Sequence, residues 1–142
     1  EPGRSLVADA GMTLYTVGSI KSITGYKNYV SIDGGMPDNP RYALYESPYT
    51  LYLASRANAE ANFPCSVVGR CCESGDIIQE GVTLPKPVRG EILAVAVTGA
   101  YNYSMASNYN RIPSPAIVLL KGGKDSLAVR RESNEDMIKN EV

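Results

Sequence analysis

The 142-residue sequence contains no histidine, which removes the most versatile acid–base side chain and the commonest metal ligand together. No Ser-His-Asp or Cys-His mechanism can be built without it. Any chemistry must draw on Cys, Glu, Arg and Tyr, or on a cofactor. Cysteine is scarce too, with three residues, two of them adjacent at Cys71 and Cys72. An odd count gives no disulfide framework, and reduced thiols in a cytoplasmic protein are the simplest expectation. Two vicinal thiols plus a distant Cys65 also fit the spaced pairs of a zinc site poorly. The net charge of −1 gives no reason to expect nucleic acid or another polyanion as partner. No apolar run approaches the ~18 residues that a membrane crossing needs. The longest runs, 92–97 and 116–120, are strand-sized. The chain opens on Glu1-Pro2-Gly3-Arg4 rather than on Met or a basic and apolar leader. Such a start is expected of a piece of a longer polypeptide.

What is present is one domain's worth of chain, 1–142, with 44% hydrophobic residues and enough mass for a real core. Gly (13) and Pro (9) punctuate short segments rich in Val, Ile, Leu and Tyr, the pattern of a mainly β protein. Strands are predicted at 5–10, 12–20, 29–33, 49–54, 65–68, 76–79, 91–97, 116–120 and 126–131. Leu14 and Val17 alternate with polar residues only in part, which suits a strand buried on both faces. So many short strands argue for a closed or sandwiched sheet. Three segments break the pattern. The stretch 39–45 opens with Asn39 as cap and Pro40 at the first helical position, then reads as a short helix. The stretch 99–111 is small and polar, a loop with a helical turn within 100–108. Ser133-Asn134-Glu135-Asp136 resembles a capping box opening a helix at about 134–140.

Several of these segments carry chemistry-bearing residues. Arg41 and Tyr45 stand four apart on the short helix and so share a face. A guanidinium and a phenol there suit a carboxylate, although a surface arginine beside a packed tyrosine is the blander reading. Cys72 precedes Glu73 and Asp76 in a glycine-containing turn, and neighbouring carboxylates favour a thiol that donates a proton over a thiolate nucleophile. A buried structural cysteine beside an acidic turn would read the same way. Gly99-Ala100-Tyr101-Asn102-Tyr103-Ser104 resembles an anion-binding turn, and equally allows tyrosines that merely pack.

Four motifs in order change that balance: 1–4 (EPGR), 33–45 (DGGMPDNPRYALY), 72–76 (CESGD) and 99–111 (GAYNYSMASNYNR). Together they resemble the C-terminal domain of the diaminopimelate decarboxylases, and the resemblance runs over essentially the whole chain. It implies a mainly β, barrel- or sandwich-like domain that closes the active site of an N-terminal α/β barrel. That barrel would carry the lysine that holds pyridoxal 5'-phosphate as a Schiff base. The six lysines here, Lys21, Lys27, Lys86, Lys121, Lys124 and Lys139, fall in none of the motifs, so the chain alone is expected to be inactive.

The resemblance also implies roles. Glu1, Gly3, Arg4 and Tyr101 match cofactor-binding positions. Arg4, Arg41, Tyr45, Glu73 and Tyr101 match substrate-binding positions, with the arginines on carboxylate and Glu73 on the distal ammonium. Cys72 matches the proton donor, and the Cys72–Glu73 pair would reach into the site of the other subunit of a homodimer. The implied reaction converts meso-2,6-diaminopimelate to L-lysine and carbon dioxide. An ornithine-, arginine- or carboxynorspermidine-type decarboxylase, or a non-catalytic binding module of the same fold, is the alternative. A substrate ending in an amine alone would leave Arg41 unpaired and repelled, which favours diaminopimelate. Cys71 and Tyr42 sit at positions for which the resemblance sets no expectation.

Overall fold

The computed structural model describes residues 2–142. Six strands form one sheet: β1 (Met12–Ile23), β2 (Lys27–Ile32), β3 (Leu51–Leu53), β4 (Phe63–Val68), β5 (Ile77–Leu84) and β6 (Ile92–Ala96), in the order β3-β6-β1-β2-β4-β5. β2 and β4 run parallel, and the other neighbours are antiparallel. The outer strands β3 and β5 come into contact, and Tyr49 N donates to the Gln79 side chain at 2.8 Å across that seam. The sheet therefore curls into a nearly closed barrel. A hairpin of β7 (Ile117–Lys121) and β8 (Lys124–Val129) stands apart from it. Its two-residue turn uses Gly122 and Gly123 at positive φ, as such a turn requires. Short helices α1 (Gly3–Val7), α2 (Arg41–Tyr45) and α3 (Asn134–Ile138) complete the chain.

The core fills the barrel. Val17, Val30, Leu53, Val67, Ile78 and Leu93 are at most 1% exposed, and each such burial contributes ~1.5–3 kcal/mol. β1 serves both halves of the barrel: its first five residues pair with β6 and its later ones with β2. An irregularity between Val17 and Ile20 marks the change. There Ser31 Oγ accepts from Ser19 N at 2.7 Å and donates to Ser19 O at 3.1 Å, satisfying the backbone that the bulge leaves unpaired.

The predicted mainly β class, the barrel-like sheet and the three short helical regions are all present. Several details differ. The segment 5–10 is α1 followed by a 3-10 turn at Ala8–Ala10, not a strand. Pro2 stands at its entrance, Ser5 Oγ donates back to Pro2 O at 2.6 Å, and the carbonyl of Ala8 accepts from Gly99 N and Gly11 N. Those local bonds satisfy the backbone that a strand would have had to pair. β1 is not buried on both faces, for Leu14 is 57% exposed while Tyr15 and Val17 are buried. β5 extends well past 79, because Gly81 at positive φ makes a bulge rather than an end. Asn39 does not cap α2, whose N-cap is Pro40 without a side-chain bond. Its side chain turns into the core instead. The capping box of α3 forms as read: Ser133 Oγ accepts from Asp136 N, and Asp136 accepts from Ser133 N.

Candidate active site

Gly3 and Tyr101 meet directly. A Cβ on Gly3 would run into the Tyr101 hydroxyl, so only glycine lets that phenol lie against the start of the chain. Tyr101 itself remains 45% exposed and follows a cis Ala100–Tyr101 peptide bond. Behind it, Gly99 packs on the carbonyls of Val7 and Ala8 with no room for a side chain. Arg4 donates through Nη2 to Val97 O at 3.2 Å. Val97 has φ of 62°, a conformation costing of order 1–3 kcal/mol in a β-branched residue. Strain of that size is held where the surroundings demand it, here beside Arg4.

Arg41 enters from α2, with its guanidinium 5.3 Å from the centre of the Tyr45 ring, as their shared helical face predicts. Arg4 and Arg41, remote in sequence, both act on one phenol. Burial raises the pKa of Tyr49, while the Asn102 hydrogen bond and the charges of Arg41 and Arg4 pull it down. Asn102 joins the pieces. Its amide donates to Tyr49 Oη at 3.0 Å and to Asn39 Oδ1, and all three residues are buried. Asn39 directly precedes the Pro40–Arg41 turn, and Asn102 directly follows Tyr101. Arg41 and Tyr101 therefore lie within two residues of a single buried polar knot, on which Arg4 also bears through its charge. Among the described residues, the shielded Nε atoms of Arg4 and Arg41 have no hydrogen-bond partner. Buried donors without partners are costly, so this pair of cations suits an anionic ligand.

Cys72 and Glu73 occupy an exposed turn. Cys71 is half-buried, with its thiol pKa raised first by desolvation, whereas Cys72 is exposed on the turn. The third thiol, Cys65, is pushed up to about 11 by burial and plays a core role. The Glu73 carboxyl is held below its usual range by the Gly75 N–H, then by the Tyr109 hydroxyl and Ser74. Tyr109 Oη donates to Glu73 at 3.1 Å. No hydrogen bond or ion pair among the described residues joins Cys72 or Glu73 to Arg4 or Arg41. The chain thus presents two clusters, one cationic and phenolic, the other a thiol with an ionised acid. Glu1 lies outside the described residues.

Nothing in the sequence alone assigns Asn39, Asn102, Tyr49 or Tyr109 these roles. Asn102 and Tyr109 lie inside the 99–111 motif, but nothing in the sequence marks which of its polar side chains turns inward.

Comparison with known proteins identifies the fold and the family. The profile described as "Pyridoxal-dependent decarboxylase, C-terminal sheet domain" matches residues 6–99. The diaminopimelate decarboxylase of Bacillus subtilis (strain 168) is 52% identical over 139 residues, covering 98% of this chain and 32% of that protein. That of Staphylococcus aureus (strain COL) is 50% identical over 143 residues, covering 100% of this chain and 34% of its own. The crystal structure of the Helicobacter pylori enzyme complexed with L-lysine superposes with a TM-score of 0.88 at 34% identity, covering 97% of this chain and 33% of that one. The chain spans about a third of the length of the curated relatives it matches. With the curled sheet and the matched profile in agreement, this chain belongs to the pyridoxal-dependent decarboxylase family, as its C-terminal sheet domain.

Proposed function

We propose that this chain is the C-terminal part of a cytoplasmic diaminopimelate decarboxylase, working as a homodimer with its own N-terminal α/β barrel. The observation that carries the reading is that Arg4 and Arg41, both half-buried, each have a shielded Nε without a partner among the described residues. Two fixed cations suit the phosphate of pyridoxal 5'-phosphate and a substrate that ends in a carboxylate. When bound, the cofactor supplies the electron sink for loss of carbon dioxide.

The residues of this chain then divide the remaining work. Tyr101, held against Gly3, would donate its hydroxyl to the cofactor phosphate together with Arg4, and Glu1 is assigned to the same cofactor-binding segment. Arg41 and Arg4 hold the substrate's distal carboxylate, and Tyr45 walls that end. Glu73, ionised by its N–H and phenol donors, receives the distal ammonium. Cys72 delivers a proton to the carbon that loses carbon dioxide. The resemblance assigns the pair at 72–73 to the partner subunit's site. The Schiff-base lysine comes from outside this chain.

The test uses the complete protein loaded with pyridoxal 5'-phosphate. It should turn over meso-diaminopimelate and leave ornithine untouched. Arg41→Ala should raise KM for diaminopimelate about tenfold or more, the loss of a charged hydrogen bond worth ~1.5–3 kcal/mol. Equal use of ornithine, or an unchanged KM, would reject the assignment.

A further inference from the structure

Asp76 is only 3% exposed, and a buried carboxyl group needs hydrogen-bond partners. Its two short hydrogen bonds come from the main chain, and the Cys71 thiol also lies against it. Oδ1 accepts from Met36 N at 2.6 Å, and Oδ2 accepts from Cys71 N at 2.7 Å. Gly35 and Gly69 press against it so closely that a Cβ on either would strike the carboxylate. The backbone around it forms two stitched loops. Gly69 N donates to Asp76 O at 2.8 Å, closing the neck of the loop 69–76, and Arg70 N donates to Gly34 O at 3.1 Å, joining that loop to 33–39. One carboxylate oxygen thus braces the inside of the loop that displays Cys72 and Glu73. The other reaches across to the loop that leads into α2 and Arg41.

We propose that Asp76 is the positioning residue of the Cys72–Glu73 turn, its two oxygens fixing that turn against the loop that leads to Arg41. A thiol on an exposed turn can protonate one carbon selectively only if the turn is rigid, and a displacement of about 1 Å costs up to a hundredfold in rate. The carboxylate supplies that rigidity because it alone can accept from two N–H groups that point at it from different loops. The kinetic part of this proposal rests on the decarboxylase reading above, whereas its geometric part does not.

Asp76→Asn keeps the shape and replaces one acceptor with a donor. In the complete protein, hydrogen exchange read by NMR or mass spectrometry should quicken at Met36 and over 71–73 and stay unchanged in the barrel strands. Decarboxylation of diaminopimelate should slow roughly tenfold to a hundredfold in kcat. In a Cys72→Ala background the same substitution should cost little further in kcat, because its effect on proton delivery runs through Cys72, while displacement of Glu73 registers in KM. An unchanged kcat, a full additional loss in the Cys72→Ala background, or faster exchange throughout the domain would each overturn the proposal. If the parent protein does not act on diaminopimelate, the functional reading fails. The exchange measurement then decides alone: quickening confined to the two loops upholds the brace, and no quickening removes it. Should Asp76→Asn not accumulate as folded protein, Gly69→Ala displaces the same side chain without replacing it and is read by the same criteria.

Discussion

The buried knot of Asn102, Asn39 and Tyr49 offers a sharp test of how the site is held. Asn102→Ala removes the one amide that donates to both Asn39 Oδ1 and Tyr49 Oη. Asn39 is fully buried and Tyr49 is 9% exposed, so water does not readily replace the lost donor. Each orphaned group costs ~1–3 kcal/mol, giving about 2–6 kcal/mol for the substitution. Tyr49→Phe removes only the hydroxyl and leaves Asn102 its other partner, so ~0.5–1.5 kcal/mol is expected. The double variant should fall short of the sum by about 0.5–3 kcal/mol, the signature of two groups in one network. Urea unfolding of the complete protein, with m-values unchanged across the set, provides the measurement. Asn102→Ala within about 0.5 kcal/mol of the parent, or strict additivity with Tyr49→Phe, would refute the reasoning. The same variant should weaken retention of pyridoxal 5'-phosphate, because Tyr101 is anchored through the residue that follows it.

Cys72→Ala in the complete protein should cut kcat by about a hundredfold or more, the usual reach of a positioned proton donor, while cofactor absorbance at saturation stays unchanged. Equal turnover of variant and parent would remove Cys72 from that role. Gly3→Ala should weaken cofactor affinity, measured by titration of the apoprotein, because the added methyl displaces the Tyr101 hydroxyl; unaltered affinity would detach Tyr101 from the phosphate. Asp136 is held far below its ordinary 3.8 by Arg130 first and then by the Ser133 N–H. Its contribution to α3 is therefore complete above that ordinary value and fades as pH falls through the lower folded-state value. Protection of α3 amides should fade in acid in the parent, and Asp136→Asn should show reduced protection already at neutral pH, with less change on acidification.

The barrel was legible because its strands are short, β-branched and bounded by Gly and Pro, and because α3 announces itself by a capping box whose bonds are local. The 5–10 segment misled because Leu6 and Val7 look like strand residues, whereas its bonds go to Pro2 and Gly99. Asn39 misled in the opposite way: Asn before Pro is a good cap, yet a buried partner at Asn102 outbids the helix end. Arg41 with Tyr45 was readable from spacing alone. That Arg4 and Arg41 both bear on Tyr49 was not, because Tyr49 belongs to no motif. Asp76 was visible as a member of a motif, but which loop its oxygens brace is a tertiary fact.

β1 finds one of its two neighbours, β2, after a tight turn, but must wait for β6 until most of the domain's chain has been made. During synthesis the first half of β1, with Met12 and Leu14 uncovered even in the finished fold, is therefore an open hydrogen-bonding edge for as long as the ribosome takes to deliver residues 92–96. Late closure of this kind makes folding slow and leaves a window for mispairing between nascent chains. Temperature and expression rate should thus govern the yield of this domain more strongly than its final stability does.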